Sequence, residues 1–292
     1  MTQEKQSEMW KSLPWKQFRK DTFRLQKRIY ESNRDNKIAR VLFLQKLLFR
    51  SYGARMLAIR QVSQLNSGKR TAGIDGKSSL TVKQRFELEQ ELFREGMKWK
   101  HMGVRGVNIP KPDGTLRPLK IPTIRDRAWQ CLVKLVVEPA HEAKFHARSY
   151  GFRPGRCTHD AQKVIFLNLK SNSNGRSKRI LELDIEKCFD RINHNTIMDN
   201  IIAPRFIKSG LYKCLKVGVN PEFPEQGTPP FARSAKAREG GVISPLLANI
   251  ALNGIEDIHP SIRYADDMIF ILKPHDNVDE ILSNIKQFLA QR

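Results

Sequence analysis

Three aspartates could carry out chemistry in this sequence. Asp266 and Asp267 stand side by side in RYADDMIF (263–270), between apolar runs, and Asp184 lies upstream in RILELDIEKCF (179–189). A lone Asp-Asp doublet is ordinary turn chemistry. Here Ile262 and Tyr264 on one side, with Met268, Ile269, Phe270 and Ile271 on the other, set the doublet at the tip of a hairpin in a packed sheet, Ala265-Asp266-Asp267 forming the tip. Upstream, Leu181, Leu183 and Ile185 alternate with Glu182, Asp184 and Glu186, the period of a strand over 179–189. If the two stretches pair antiparallel, the three aspartates converge. Converging carboxylates repel unless they are protonated or meet cations. Hard oxygens with no His or Cys among them select Mg²⁺. Two such ions clamp the attacking and leaving oxygens of an in-line phosphoryl displacement.

The elements that must hold these residues sit in a strongly basic chain. Its 292 residues include 52 Lys and Arg against 30 Asp and Glu, a formal net charge of +22. A field of that sign attracts phosphate polymers. With 40% hydrophobic residues the chain is a folding sequence. It shows no apolar run of membrane length, no signal-peptide core and no lipidation motif, so no membrane partner is expected. Cys131, Cys157, Cys188 and Cys214 are scattered, which suggests neither a disulfide framework nor a zinc site. The expected setting is a reduced cytoplasm, bacterial or in an organelle interior.

Residues 1–70 hold 17 Lys and Arg against 5 Asp and Glu. Two helical patterns fit there, one through Trp15, Phe18, Thr22, Leu25 and Ile29, the other through Ile38, Leu42, Phe49, Tyr52, Met56 and Ile59. Arg19, Lys20, Lys27 and Arg28 lie between the apolar positions. They are either a solvated face or a nucleic-acid surface, and residue spacing leaves both open. NSGKRTAGIDG (66–76) is a glycine-rich loop where backbone must come close to something. Residues 81–100 are helical, and 103–123 form two short strands around Pro-Asp-Gly. Helix returns over 124–145, and Thr158 is a candidate N-cap for the next. Residues 205–240 have no clear pattern. Pro245 sits in the first turn of a helix to Leu252, and a last helix covers about 278–290. The order of elements is α+β.

The segments SYGFRPGR (149–156), LDIEKCFDRINH (183–194), GGVISPLLANIAL (240–252) and RYADD (263–267), with TAGIDG (71–76) and IPKPDGTLRPLKIPT (109–123), together resemble the reverse transcriptases encoded by group II introns. The resemblance implies the fingers and palm of a right-hand polymerase, with an antiparallel palm sheet, a basic helical N-terminal extension and no thumb. The implied segments are 1–76 for the extension and its loop, 77–178 for the fingers and 179–292 for the palm, with part of 124–178 shared.

By the same resemblance, Asp184 and Asp266 bind both Mg²⁺ ions, Asp267 stands beside them, and the Ile185 backbone lies near the incoming triphosphate. Phe189 closes the sugar site against a 2′-hydroxyl. Lys111 and Arg117 grip the triphosphate, the arginine suited to a bidentate contact. Arg153 and Arg156 are template-contacting or framework residues. The implied activity is RNA-directed DNA synthesis, attack of a primer 3′-hydroxyl on a dNTP along an RNA template, with group II intron RNA as a further partner. The alternative is a non-polymerising maturase fragment that binds intron RNA and assists splicing. A thumb and maturase region is expected in the full-length protein.

Two departures stand out. The family's usual Gln before the glycine pair is absent: GTP (227–229) runs into PFARSAKARE (230–239), and Glu239 precedes Gly240-Gly241. Lys120 replaces a common glycine. A carboxylate near a triphosphate is unfavourable, so altered nucleotide binding is expected.

Overall fold

Apolar residues recurring at three and four make helices of most of the chain's first half, and the computed structural model describes residues 3–110, 114, 116–186, 188–218 and 241–292. In chain order the elements are α1 (Gln3–Lys11), α2 (Trp15–Arg34), α3 (Ile38–Phe49), α4 (Tyr52–Arg60), α5 (Val82–Glu95), β1 (Arg105–Pro110), β2 (Leu116–Ile121), α6 (Ile124–Glu142) and α7 (Thr158–Leu169). They continue as β3 (Arg179–Leu183), α8 (Cys188–Arg191), α9 (His194–Asn200), α10 (Arg205–Lys216), α11 (Ser244–Leu252), β4 (Ser261–Tyr264), β5 (Asp267–Leu272) and α12 (Val278–Ala290). The result is a mixed fold of helices with two small antiparallel sheets.

The chain forms two compact units. One comprises Met1–Ala143 and Ile202–Ser244, the other Lys144–Ile201 and Pro245–Arg292. The stretch from Ile202 to Ser244 belongs to the first unit. There the Ile202 carbonyl accepts from Gln45 Nε2 at 2.8 Å, the Ile202 N–H donates to His141 Nε2 at 3.1 Å, and Phe206 packs edge-on against Phe49 at 5.0 Å.

In the first unit α6 packs against α2, α3 and α4. Its core includes Ile29, Leu44, Leu48, Met56, Trp129, Leu132 and Val136, all without exposed surface. The second apolar stripe of the sequence is two helices, because Ser51 caps α4 by accepting from the Ala54 N–H. Helix α10 was not foreseen within 205–240; it is strongly amphipathic and buries Ile207, Leu211 and Cys214. The glycine-rich loop does meet backbone: a Cβ on Gly73 would lie 2.7 Å from Thr123 Cα.

Thr123 caps α6, and Asp126 in the first turn is a buried hub. It accepts from Trp99 Nε1 at 2.9 Å, Thr123 Oγ1 at 2.9 Å and the Met102 N–H at 3.1 Å, with His101 Nδ1 also at 3.1 Å. Burial works to raise the Asp126 carboxyl. The hydrogen bond and charge of His101, with the Trp99 and Thr123 bonds, overcome it and hold the group below the ordinary value of 3.8. A lowered folded pKa contributes stability above the unfolded value and loses it as pH falls through the folded one. Thermal melts on the acid side of the ordinary carboxylate value will therefore show destabilisation that Asp126→Asn removes, at the cost of a lower melting point near neutrality.

In the second unit the sheet order is β3-β5-β4, both pairings antiparallel. Met268, Phe270 and Leu272 of β5 pack with Ile255, Ile281 and Ile285, and Leu181, Leu183 and Ile185 join that face. Ile271 packs with Tyr150, Ala161 and Ile262 on the other face, with Ile269 against them. The N-cap of α7 is Cys157, whose N–H donates to Asp160 at 2.8 Å, so Thr158 is the first helical residue and not the cap.

Candidate active site

Strand pairing places the acidic stretches together. Register runs from Arg179↔Leu272 to Leu183↔Met268, so the next residues on the two strands are Asp184 and Asp267. The expected strand over 179–189 ends at Leu183, one residue before Asp184. The chain then turns, the Cys188 N–H donating to the Ile185 carbonyl at 3.2 Å, and α8 begins. Across the hairpin Tyr264 pairs with Asp267, leaving Ala265 and Asp266 as a two-residue loop, so Asp267 belongs to β5 and not to the tip. Ala265 takes φ +60°, which suits a hairpin turn but costs an L-residue roughly 1–2 kcal/mol.

The electrostatics follow. Asp184 and Asp267 are exposed and Asp266 is half-buried. Desolvation raises the Asp267 carboxyl above its ordinary value, and the charges of Asp266, Asp184 and Glu182 raise it further. The buried Cys188 thiol is pushed up to about 12, mainly by burial and also by Asp266, while Arg263 opposes and Asp184 adds. Tip and strand end thus act on the same thiol. Among the described residues no group of three or more His, Cys, Asp or Glu side chains is arranged as a metal cage. The donor set still fits Mg²⁺, which typically binds through one or two carboxylates and completes its shell with water and substrate phosphates. Beside Asp184 opens a cleft of about 380 Å³, lined chiefly by Leu183, Ile185, Leu252 and Met268 with Arg191 and Lys286.

The remaining candidates divide. Ile185 is half-buried under the sheet, and Phe189 is half-buried on α8. Arg153 is buried: its guanidinium donates to the His146 and Ser149 carbonyls at 2.6 and 2.7 Å, a framework role. Arg156, half-buried, donates to the Ala147 carbonyl at 2.5 Å and lies over Tyr150. Lys111, the Arg117 side chain and Glu239 lie outside the described residues; the Arg117 backbone pairs with Ile109.

On α2, Arg19, Lys20, Lys27 and Arg28 are exposed, but they do not form one surface. Arg19 and Arg28 are about 2.5 helical turns apart and fall on opposite flanks. Lys20 and Lys27 share a stripe with Lys16, Phe23, Tyr30 and Arg34, all exposed, Phe23 by 67%. Helix α3 repeats the pattern with Arg40, Phe43 and Lys46, and Arg50 just past its end, Phe43 being 64% exposed. The sequence reading missed these aromatics. Their signal was present: large rings at three- and four-residue steps from lysines, opposite the apolar stripe.

Residues 10–92 match the family described as the N-terminal domain of reverse transcriptase, and residues 109–292 match the one described as reverse transcriptase (RNA-dependent DNA polymerase). Among similar proteins, "Maturase-like protein 1" of Euglena gracilis is 37% identical over 92% of this chain and 57% of its own length. Its namesake in Euglena longa is 35% identical over 96% of this chain and 59% of its own. The "Group II intron-encoded protein LtrA" of Lactococcus lactis subsp. cremoris is 32% identical over 65% of this chain and 31% of its own. The chain therefore spans a little over half the length of the Euglena relatives.

Proposed function

Because the chain belongs to the reverse transcriptase family and its relatives are maturase-like and group II intron-encoded proteins, we propose that it is the RNA-directed DNA polymerase core of such a protein. The observation that carries this reading is the convergence of β3 and the β4–β5 tip, where desolvation first, and then the charges of Asp266, Asp184 and Glu182, raise the Asp267 carboxyl. Carboxylates that repel in this way create a standing demand for divalent cations.

Asp184 and Asp266 hold Mg²⁺, with Asp267 tuning the local charge. When bound, two Mg²⁺ ions stabilise charge on the oxygens of an in-line phosphoryl displacement. The chain's own work is orientation: the β5 register sets the carboxylates, Phe189 bounds the sugar, and Lys111 and Arg117 hold the triphosphate of the dNTP. The hydroxyl of an RNA-templated primer is then positioned, which is where such sites gain most of their rate. Incorporation of dNTPs onto a DNA primer annealed to RNA, dependent on Mg²⁺, tests this. A folded chain that never extends a primer, even when joined to the thumb region of a relative, refutes it.

The exposed stripe on α2 supports intron RNA as a second partner and a maturase role alongside or in place of synthesis. Lysines on one helix face follow a phosphate backbone, and interleaved rings stack on unpaired bases. Lys20→Gln with Lys27→Gln will lower the slope of log affinity against log salt by roughly 1.5, whereas Phe23→Ala will cost ~1–3 kcal/mol with the slope unchanged. Anisotropy titrations of a structured intron RNA across salt concentrations check both. An unaltered slope in the double variant removes α2 from the interface.

A further inference from the structure

Behind the acidic turn lies a buried cation that the proposed chemistry does not use. Arg263 has no exposed surface. Its Nε donates to Glu256 Oε1 at 2.6 Å, and its Nη1 donates to Asn249 Oδ1 at 2.9 Å and to the Ala265 carbonyl at 3.0 Å. Asn249 in turn donates through Nδ2 to the Gly151 carbonyl at 2.8 Å. Gly151 presses on the turn from its other side, where a Cβ would stand 2.3 Å from the Ala265 nitrogen. The Arg263 backbone is clamped too: its N–H donates to the Arg148 carbonyl at 3.0 Å, and its carbonyl accepts from the Tyr150 N–H at 2.8 Å. The left-handed Ala265 is thus held at its carbonyl by the guanidinium, with the Gly151 backbone packed close against its nitrogen.

A buried Arg–Glu pair is a poor way to gain stability. Desolvating both charges offsets their attraction, and apolar residues of similar volume often do as well. This network is not even fully satisfied, since Arg263 Nη2 and the hydroxyls of Ser149 and Ser261 are buried without hydrogen-bond partners among the described residues. What such a pair can supply is a single conformation, and the element it touches is the strained turn between Tyr264 and Asp267.

We infer that Arg263, oriented by Glu256 and Asn249, is a positioning residue that sets the Ala265 turn and so fixes where the Asp266 carboxylate stands. Its consequence for catalysis rests on the nucleotidyl-transfer reading; its effect on the turn does not. Arg263→Lys keeps a charge opposite Glu256 but loses the planar fork that reaches Asn249 and Ala265 together. Asn249→Ser, the second variant, removes both amide hydrogen bonds and leaves no new buried charge.

Amide exchange followed by NMR reads the turn directly. In either variant, exchange at Ala265, Asp266 and Asp267 will quicken about tenfold, while the β3–β5 ladder and α12 keep the parent's protection. The Mg²⁺ concentration for half-maximal primer extension will rise severalfold, with a smaller fall in the rate at saturating Mg²⁺. Unchanged exchange at the turn in both folded variants, or a uniform rise through the second unit, overturns the inference. If the parent chain extends no primer, the polymerase reading fails, and the exchange result still decides the role of Arg263.

Discussion

Asp266→Asn will cut Mg²⁺-dependent primer extension by about three orders of magnitude, equivalent to ~4 kcal/mol of transition-state stabilisation. The substitution keeps the side chain's size and leaves the turn intact, so the loss reports charge. It will not lower the melting point. Asp266 is one of the charges that raise the Asp267 carboxyl, and removing it relieves repulsion at the tip. Loss of activity without loss of stability is the signature of a site whose charges are arranged for a cation. A variant that retains more than about a tenth of parent activity, less than 1.4 kcal/mol of effect, places the chemistry elsewhere. The pH dependence at this tip has the opposite sign to that of Asp126. With its folded pKa raised, Asp267 contributes stability below the ordinary value of 3.8 and loses it as pH climbs through the raised one.

Glu89→Ala will destabilise the first unit by ~3–5 kcal/mol, measured by urea unfolding. The Glu89 side chain is 2% exposed and that of Arg55 5%, and they meet at 2.7 Å, joining α5 to α4. Arg55 also donates to the Arg50 carbonyl at 2.6 Å and lies 4.8 Å from the Phe93 ring centroid. Truncating the acid strands a buried guanidinium whose only other acceptor among the described residues is that carbonyl. Exchanging both residues, Arg55→Met with Glu89→Leu, will restore most of the loss, because the desolvation cost of each ion goes with it. A cost below about 1 kcal/mol for the single variant marks the pair as solvated. Primer extension by the surviving folded fraction will be unchanged, which separates this pair from the acidic tip.

Much of the scaffold was legible because it is written in local periods. The β4–β5 hairpin follows from apolar runs on either side of the Ala265-Asp266-Asp267 turn residues, and α2 from apolar residues at three and four. The antiparallel neighbour of β5 could be foreseen because Leu181 and Leu183 alternate with acids that one buried face would not accept. What failed to show were features set by distant partners. Nothing in RILELDIEKCF tells β3 to stop at Leu183, one residue before Asp184. The return of Ile202 to the first unit depends on Gln45 and His141, more than sixty positions upstream. Residue type alone left Arg153 between a template contact and a framework residue, because its acceptors, the His146 and Ser149 carbonyls, are brought to it only by the fold of its own loop. Arg263 carried no sequence signal as a holder of the turn, since its partners Glu256 and Asn249 only meet it after folding.

Strand order in the second unit has a consequence for biosynthesis. The middle strand of its sheet, β5, is made well after β3, which leans on it. Between Leu183 and Asp267 the ribosome must add about 80 residues, which at roughly 5–20 residues per second leaves the nascent β3 without its neighbour for several seconds or more. Over that interval Leu181 and Leu183 have no hydrophobic cover from Met268 and Phe270. Chaperone capture of ribosome-bound chains, and aggregation of products arrested before β5, are the cellular costs of separating a strand from its central partner by so long a stretch of chain.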